Sequence, residues 1–275
     1  MSIWVLAAAG AVLAAALAWA AWDALRKQRR RRRVEAAIRL HHAGDHAGAE
    51  AAFRELLAEA ERRRDKNLER FSLVNLSATL IAQHRQAEAQ PLLVRATELA
   101  RRLGLQRGAA TAIYNLAWTA FYARDFDGAA RLSAEARTAA GTQPPFDLGL
   151  MLALMDGRLA TRQGLFEVAR HALADAAARV PTAVDKDLAN QIEMAQGVLE
   201  YRAGNRAGLD LVLAGVSRVT LPSRQDQARW VTGLAHLAAE SADQDAAQRL
   251  TAAAGGLQRA PDFPSAEECA AYLKA

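Results

Sequence analysis

The chain has 275 residues, 52% hydrophobic but only 6% aromatic, with 7 prolines, one cysteine and a formal net charge of +5. Abundant alanine and leucine favour helix, and no stretch alternates at period two with Val, Ile and Thr as a sheet would need. The lone Cys269 excludes an intrachain disulfide framework and a cysteine zinc site; seven of the 35 basic residues fall in one run, leaving the remainder near neutral, unlike a general nucleic-acid binder.

Residues 2–22 carry no ionisable side chain. As a helix they would span about 31 Å, enough to cross a bilayer core. Trp4 near one end, and Trp19 and Trp22 near the other, sit where interfacial aromatics belong. Arg26, Lys27, Arg29, Arg30, Arg31, Arg32 and Arg33 follow. The positive-inside rule then predicts a transmembrane anchor over 1–22 and a polybasic juxtamembrane segment over 23–33. It puts the rest on the cytoplasmic side of the plasma (inner) membrane. The same seven cations are expected to touch anionic lipid headgroups. A cleavable signal peptide is the alternative, with Ala18-Trp19-Ala20 as the cleavage site, although the arginines beyond it oppose export.

From Val34 onward one pattern recurs every forty residues. Ala49, Ala89, Ala129 and Ala169 occupy equivalent places, continued by Leu209. A turn precedes each, at Gly44, His84, Arg124, Gly164 and Gly204. Apolar residues at three- and four-residue steps flank every turn, the mark of two amphipathic helices folded back on each other. A fixed period of this size predicts an all-α stack of five to six hairpins over 34–256. Beyond it, 257–275 reads as a linker bounded by Pro261 and Pro264, then a capping helix. Ser265 is that helix's expected N-cap, with Glu268 closing a capping box.

Catalytic chemistry is not evident. There is no phosphate-binding Gly-Lys-Ser/Thr loop, no Gly-x-Ser-x-Gly and no His-Glu-x-x-His. His41, His42, Asp45 and His46 form the densest His/Asp cluster, but it straddles a turn and reads as solvated rather than metal-binding. No enzyme activity, metal or cofactor is expected.

The hairpins resemble the tetratricopeptide repeat (TPR) family, with Ala-Gly-Asp-His at 43–46, Ala49, Phe53 and Leu56 as one unit. The resemblance extends to about residue 254; the period of 40 departs from the family's ~34. It implies a right-handed α-solenoid whose first helices line a groove for a partner peptide or helix. Carried onto this chain, the groove positions are Asn75, Tyr114, Asn115, Trp118, Tyr122, Met155, Arg158, Arg162, Tyr201 and Arg202. Tyr114, Trp118 and Met155 are equally compatible with packing between helices. The three arginines suggest an electropositive end facing an acidic partner segment. An anchor followed by cytoplasmic repeats is similar to the plan of bacterial lipopolysaccharide assembly protein B, but the paired cysteines of its rubredoxin-like module are absent. The implied role is a membrane-anchored scaffold or assembly factor. The alternatives are an exported periplasmic repeat protein in envelope assembly, and an RNA-associated protein using the arginine run.

Overall fold

The computed structural model describes residues 3–142, 146–180, 186–219, 224–257 and 263–274. Side chains are described from Trp19 onward, apart from those of residues 146, 186, 224 and 225. The described residues contain helices and turns and no strand.

α1 (Ile3–His42) is one unbroken helix of 40 residues. It runs through the expected anchor and polybasic stretch and into the first repeat without a boundary. The hairpins then follow in order. α1 pairs with α2 (His46–Arg63), α3 (Lys66–Ala82) with α4 (Gln86–Arg102), and α5 (Gln106–Tyr122) with α6 (Phe126–Ala140). α7 (Phe146–Arg162) pairs with α8 (Phe166–Arg179), α9 (Lys186–Arg202) with α10 (Ala207–Val216), and α11 (Arg224–Glu240) with α12 (Gln244–Gly255). The second helix of each hairpin from α2 to α8 also packs on the next hairpin's first helix, as stacking requires. α3, α4 and α5 are 17 residues each, joined by three-residue turns. Two such helices and two such turns make the forty-residue period.

One turn chemistry closes all six hairpins. Its left-handed residue is Gly44, His84, Arg124, Gly164, Gly204 or Ala242, with φ between 56° and 91° across these and the other positive-φ positions. The amides of this residue and the next reach back to the preceding helix. Arg124 N–H donates to Phe121 O at 3.0 Å and Asp125 N–H to Ala120 O at 2.9 Å, satisfying carbonyls that the helix end would otherwise orphan. Asp45, Asp125 and Asp243 then cap α2, α6 and α12 by accepting from Gly48, Gly128 and Ala246 amides.

Small residues set how closely the paired helices approach. Ala49, Ala89, Ala129 and Ala169 are all fully buried. On the first helices Ala37, Ser77, Ala117, Gly157 and Gly197 recur with the same forty-residue spacing, and Gly157 and Gly197 lie against Leu173 and Gly208 of their partner helices. The α9–α10 crossing is the tightest. A Cβ built on Gly208 would lie 2.4 Å from both Gly197 O and the Tyr201 nitrogen.

The stack does not stay open. Phe121 of α5 is fully buried and lies parallel to Trp230 of α11, ring centroids 5.9 Å apart. Its other stacked neighbour is Tyr272, at 5.7 Å, just beyond the short helix α13 (Ala266–Ala270). Tyr122 Oη donates to Asp226 Oδ1 at 2.6 Å, and Tyr272 Oη donates to the Tyr122 carbonyl at 3.0 Å. The third hairpin therefore touches the sixth, and one apolar cluster joins residues from α5 to Leu273. α13 starts with the Ser265–Glu268 capping box and packs on α11. It covers the last hairpin and also fastens it to α5.

Among the described residues, no helix is long and apolar enough to cross a membrane. The side chains of residues 3–18, which carry most of the expected anchor, lie outside the described ones, as do Pro181 and Pro261. What α1 does show is a projecting surface: Trp19, Trp22 and Leu25 are 66%, 56% and 55% exposed.

Candidate functional site, a chamber enclosed by the first helices

Curling brings the first helix of every hairpin to one cavity of about 450 Å³. That is within the range of ligand-sized sites. α1 gives His41 and His42, α3 gives Ala78, Ile81 and Ala82, and the turn after α3 gives His84. α5 supplies Tyr114, Asn115, Trp118 and Tyr122. α7 supplies Asp147, Met151 and Leu154, α9 supplies Asp187, Leu188 and Gln191, and α11 supplies Asp226.

The α5 wall is aromatic. Trp118 and Tyr122 stack at 5.4 Å, and Tyr114 meets Trp118 edge-on at 6.3 Å. Tyr114 is only 3% exposed, so it both packs between helices and shows an edge to the cavity. Burial and the Asp226 carboxylate push the Tyr122 phenol well above its ordinary range, which keeps it a hydrogen-bond donor. Behind this wall Arg158 is 3% exposed, with Nη1 3.1 Å from Asp226 Oδ2. Its guanidinium lies 4.5 Å from the Trp230 ring centroid and 5.2 Å from that of Trp118. Asp226 also accepts from Trp230 Nε1 at 3.1 Å.

α1 and the turn after α3 bring imidazoles to the cavity, with the His84 ring edge-on to Tyr122 at 6.3 Å. His41 Nδ1 is 3.2 Å from Thr79 Oγ1, and the His42 and His46 rings lie 5.6 and 5.4 Å from its own. Burial, then the neighbouring His46 and His42, lower the His41 pKa to about 4. It is therefore uncharged at neutral pH. Among the described residues no group of three or more His, Cys, Asp or Glu is placed to hold a metal ion.

Several residues expected in the groove sit elsewhere. Asn75 lies off the cavity and donates to the Phe71 carbonyl of its own helix at 2.8 Å. Met155 is fully buried in the apolar core. Arg162 lies over Phe126 at 3.7 Å, Arg202 donates to the Thr161 carbonyl, and Tyr201 Oη donates to Asp243 Oδ2 at 3.0 Å. None of these lines the chamber, so the guanidiniums that suggested an electropositive groove are engaged inside the fold. Among the described residues, the aspartates lining the cavity are Asp147, Asp187 and Asp226. The two facing aspartates from α7 and α9 had a sequence signal. Both are second residues of a first helix, forty positions apart.

The arginine run is partly committed as well. Arg30 pairs with Asp65 at 2.6 Å and Arg33 with Glu59 at 2.5 Å, pinning α1 to the first hairpins. Arg31 pairs with Glu35 at 2.8 Å, and Lys27 and Arg26 with Asp23 at 2.7 and 3.8 Å. Arg29 and Arg32 pair with no described residue.

No protein-family model matches this sequence, and no curated protein matches it.

Proposed function

We propose that this protein is a membrane-anchored scaffold of the tetratricopeptide-repeat kind, holding a segment of a partner protein in the chamber. One observation carries the reading: every first helix contributes to a single cavity that combines an aromatic wall with hydrogen-bonding side chains. Aromatics offer large contact area at low entropic cost, and a few polar groups fix orientation. A photoreactive residue placed at Trp118 tests it. Adducts with a partner should form there, and not from position 168 on the outer surface, where Val168 is 60% exposed. Equal labelling from both positions would defeat the reading.

The anchor belongs to the same proposal. It is supported by the uncharged stretch 2–22, by the exposed Trp19 and Trp22, and by Arg26 lying 5.1 Å from the Trp22 ring centroid. Amphipathic rings beside cations suit a headgroup layer. Arg29 and Arg32 are the cations left for lipid, so replacing them with glutamine should weaken binding to anionic vesicles more than replacing Arg30 and Arg33. Extraction of the intact chain from membranes by alkaline carbonate would rule out a spanning anchor.

A further inference from the structure

Among the described residues two arginines are buried, and both lie where α11 meets α5. Arg158 is held by a carboxylate, Asp226, and by the Trp118 and Trp230 rings. Arg229 of α11 is 9% exposed and has a ring in place of a carboxylate: its guanidinium lies 5.3 Å from the Tyr122 centroid. It makes no hydrogen bond or ion pair with a described residue. Nε is closed off from solvent without an acceptor, whereas the terminal nitrogens remain open to it. Asp226, three residues before it, is already taken by Arg158, Tyr122 and Trp230. A ring face replaces only part of the hydration that such a cation gives up.

Tyr122 links this cation to the chamber. It lines the cavity, stacked on Trp118 and edge-on to His84, so Arg229 stands at the cavity's edge without being part of its lining. The repeat pattern nominated Arg158, Arg162 and Arg202 to meet an acidic partner and passed over Arg229. Those three are engaged with Asp226, Phe126 and the Thr161 carbonyl. Resting on the proposed peptide-binding role, we infer that Arg229 receives a carboxylate of the partner segment whose neighbouring residues occupy the chamber. A carboxylate meets the guanidinium fork with two parallel hydrogen bonds, and a ring against the fork restrains it. An aspartate or glutamate side chain and a C-terminal carboxylate share that chemistry.

A display library of random twelve-residue peptides with free C-termini, selected on the full chain, provides the test. Anisotropy of labelled selected peptides is the readout. Ala78→Trp fills the chamber, or Ala82→Trp if the first variant unfolds, and peptides that lose binding there are chamber ligands. Neutralising one carboxylate of such a ligand should weaken binding to wild type at least tenfold, and to Arg229→Gln less than twofold. A glutamate-to-glutamine or aspartate-to-asparagine change reports a side chain, and C-terminal amidation reports the terminus. An arginine that only braced Tyr122 would shift charged and neutralised peptides alike on replacement. Arg229→Lys keeps the charge but not the fork, and should lose at least threefold on the carboxylate peptide alone; it is the readout if circular dichroism shows Arg229→Gln unfolded. Chamber ligands indifferent to their carboxylates, or equal losses for both peptide forms, overturn the inference and leave the peptide-binding role standing. If no selected peptide depends on the chamber, both fall.

Discussion

Arg158 and Asp226 are charges inside a helical core, and each makes sense only with the other. Truncating one partner leaves an uncompensated buried ion, which costs about 3–5 kcal/mol. Arg158→Ala should lose that much in urea unfolding, while Arg158→Met with Asp226→Asn should recover most of it. A loss under 1 kcal/mol for the single variant would show the pair to be dispensable. His41 makes a pH-dependent contribution. Its folded pKa of about 4 lies below the unfolded value, so the unfolded chain binds the proton first as pH falls. Stability is complete above pH 6.5 and declines toward about 4, by roughly 2 kcal/mol at pH 5. Wild type should lose that much more than His41→Asn between pH 7 and pH 5 in denaturant titrations. Ala242 is a non-glycine residue at φ 58°, so Ala242→Gly should raise stability by about 0.5–1 kcal/mol.

At the scale of helices, the hairpin rhythm was readable because it is local. Turn residues at 44, 84, 124, 164 and 204 and small residues at fixed offsets each report on their own pair of helices. The inward face was readable on α5, where Tyr114, Asn115, Trp118 and Tyr122 do line the cavity. On α7 it was not. That helix is apolar nearly all round, from Leu148 through Leu150, Leu152, Leu154 and Met155, so period alone cannot choose the face. The choice is made by α5 and α11, and the Tyr122–Asp226 bond that records it spans 104 residues. Arg158 then turns toward Asp226, and Asp147, Met151 and Leu154 face the cavity instead. The α9–α10 crossing offers the sharpest mechanical test. Gly208→Ala would drive a methyl into backbone atoms that have no rotamer to yield, at a cost of about 2–3 kcal/mol. Ala207→Gly, one position away and exposed, should cost well under half as much on the same melting curve.

Over the whole molecule, repeat stacking alone would leave the third and sixth hairpins apart. What joins them is an aromatic knot of Phe121, Trp230 and Tyr272, with Leu273 buried beneath it. Removing residues 263–275 should uncover Phe121 and Trp230 and loosen the closure. Hydrogen exchange should then quicken in α11 and the C-terminal turn of α5, and remain unchanged in α2, whose buried Ala49, Phe53 and Leu56 belong to a separate cluster from the knot. Uniform acceleration along the chain would mean that α13 supports general stability rather than closure.

The unbroken first helix has a geometric consequence. At 1.5 Å per residue its 40 residues make a rod about 60 Å long, clamped near its far end by Arg30 and Arg33. A rod without a hinge transmits rotation, so the compass bearing of the chamber's mouth is written into the number of residues ahead of the clamp. One alanine inserted between Asp23 and Arg26 would swing that mouth about 100° around the rod's axis, and eighteen would restore it while lifting the mouth about 27 Å.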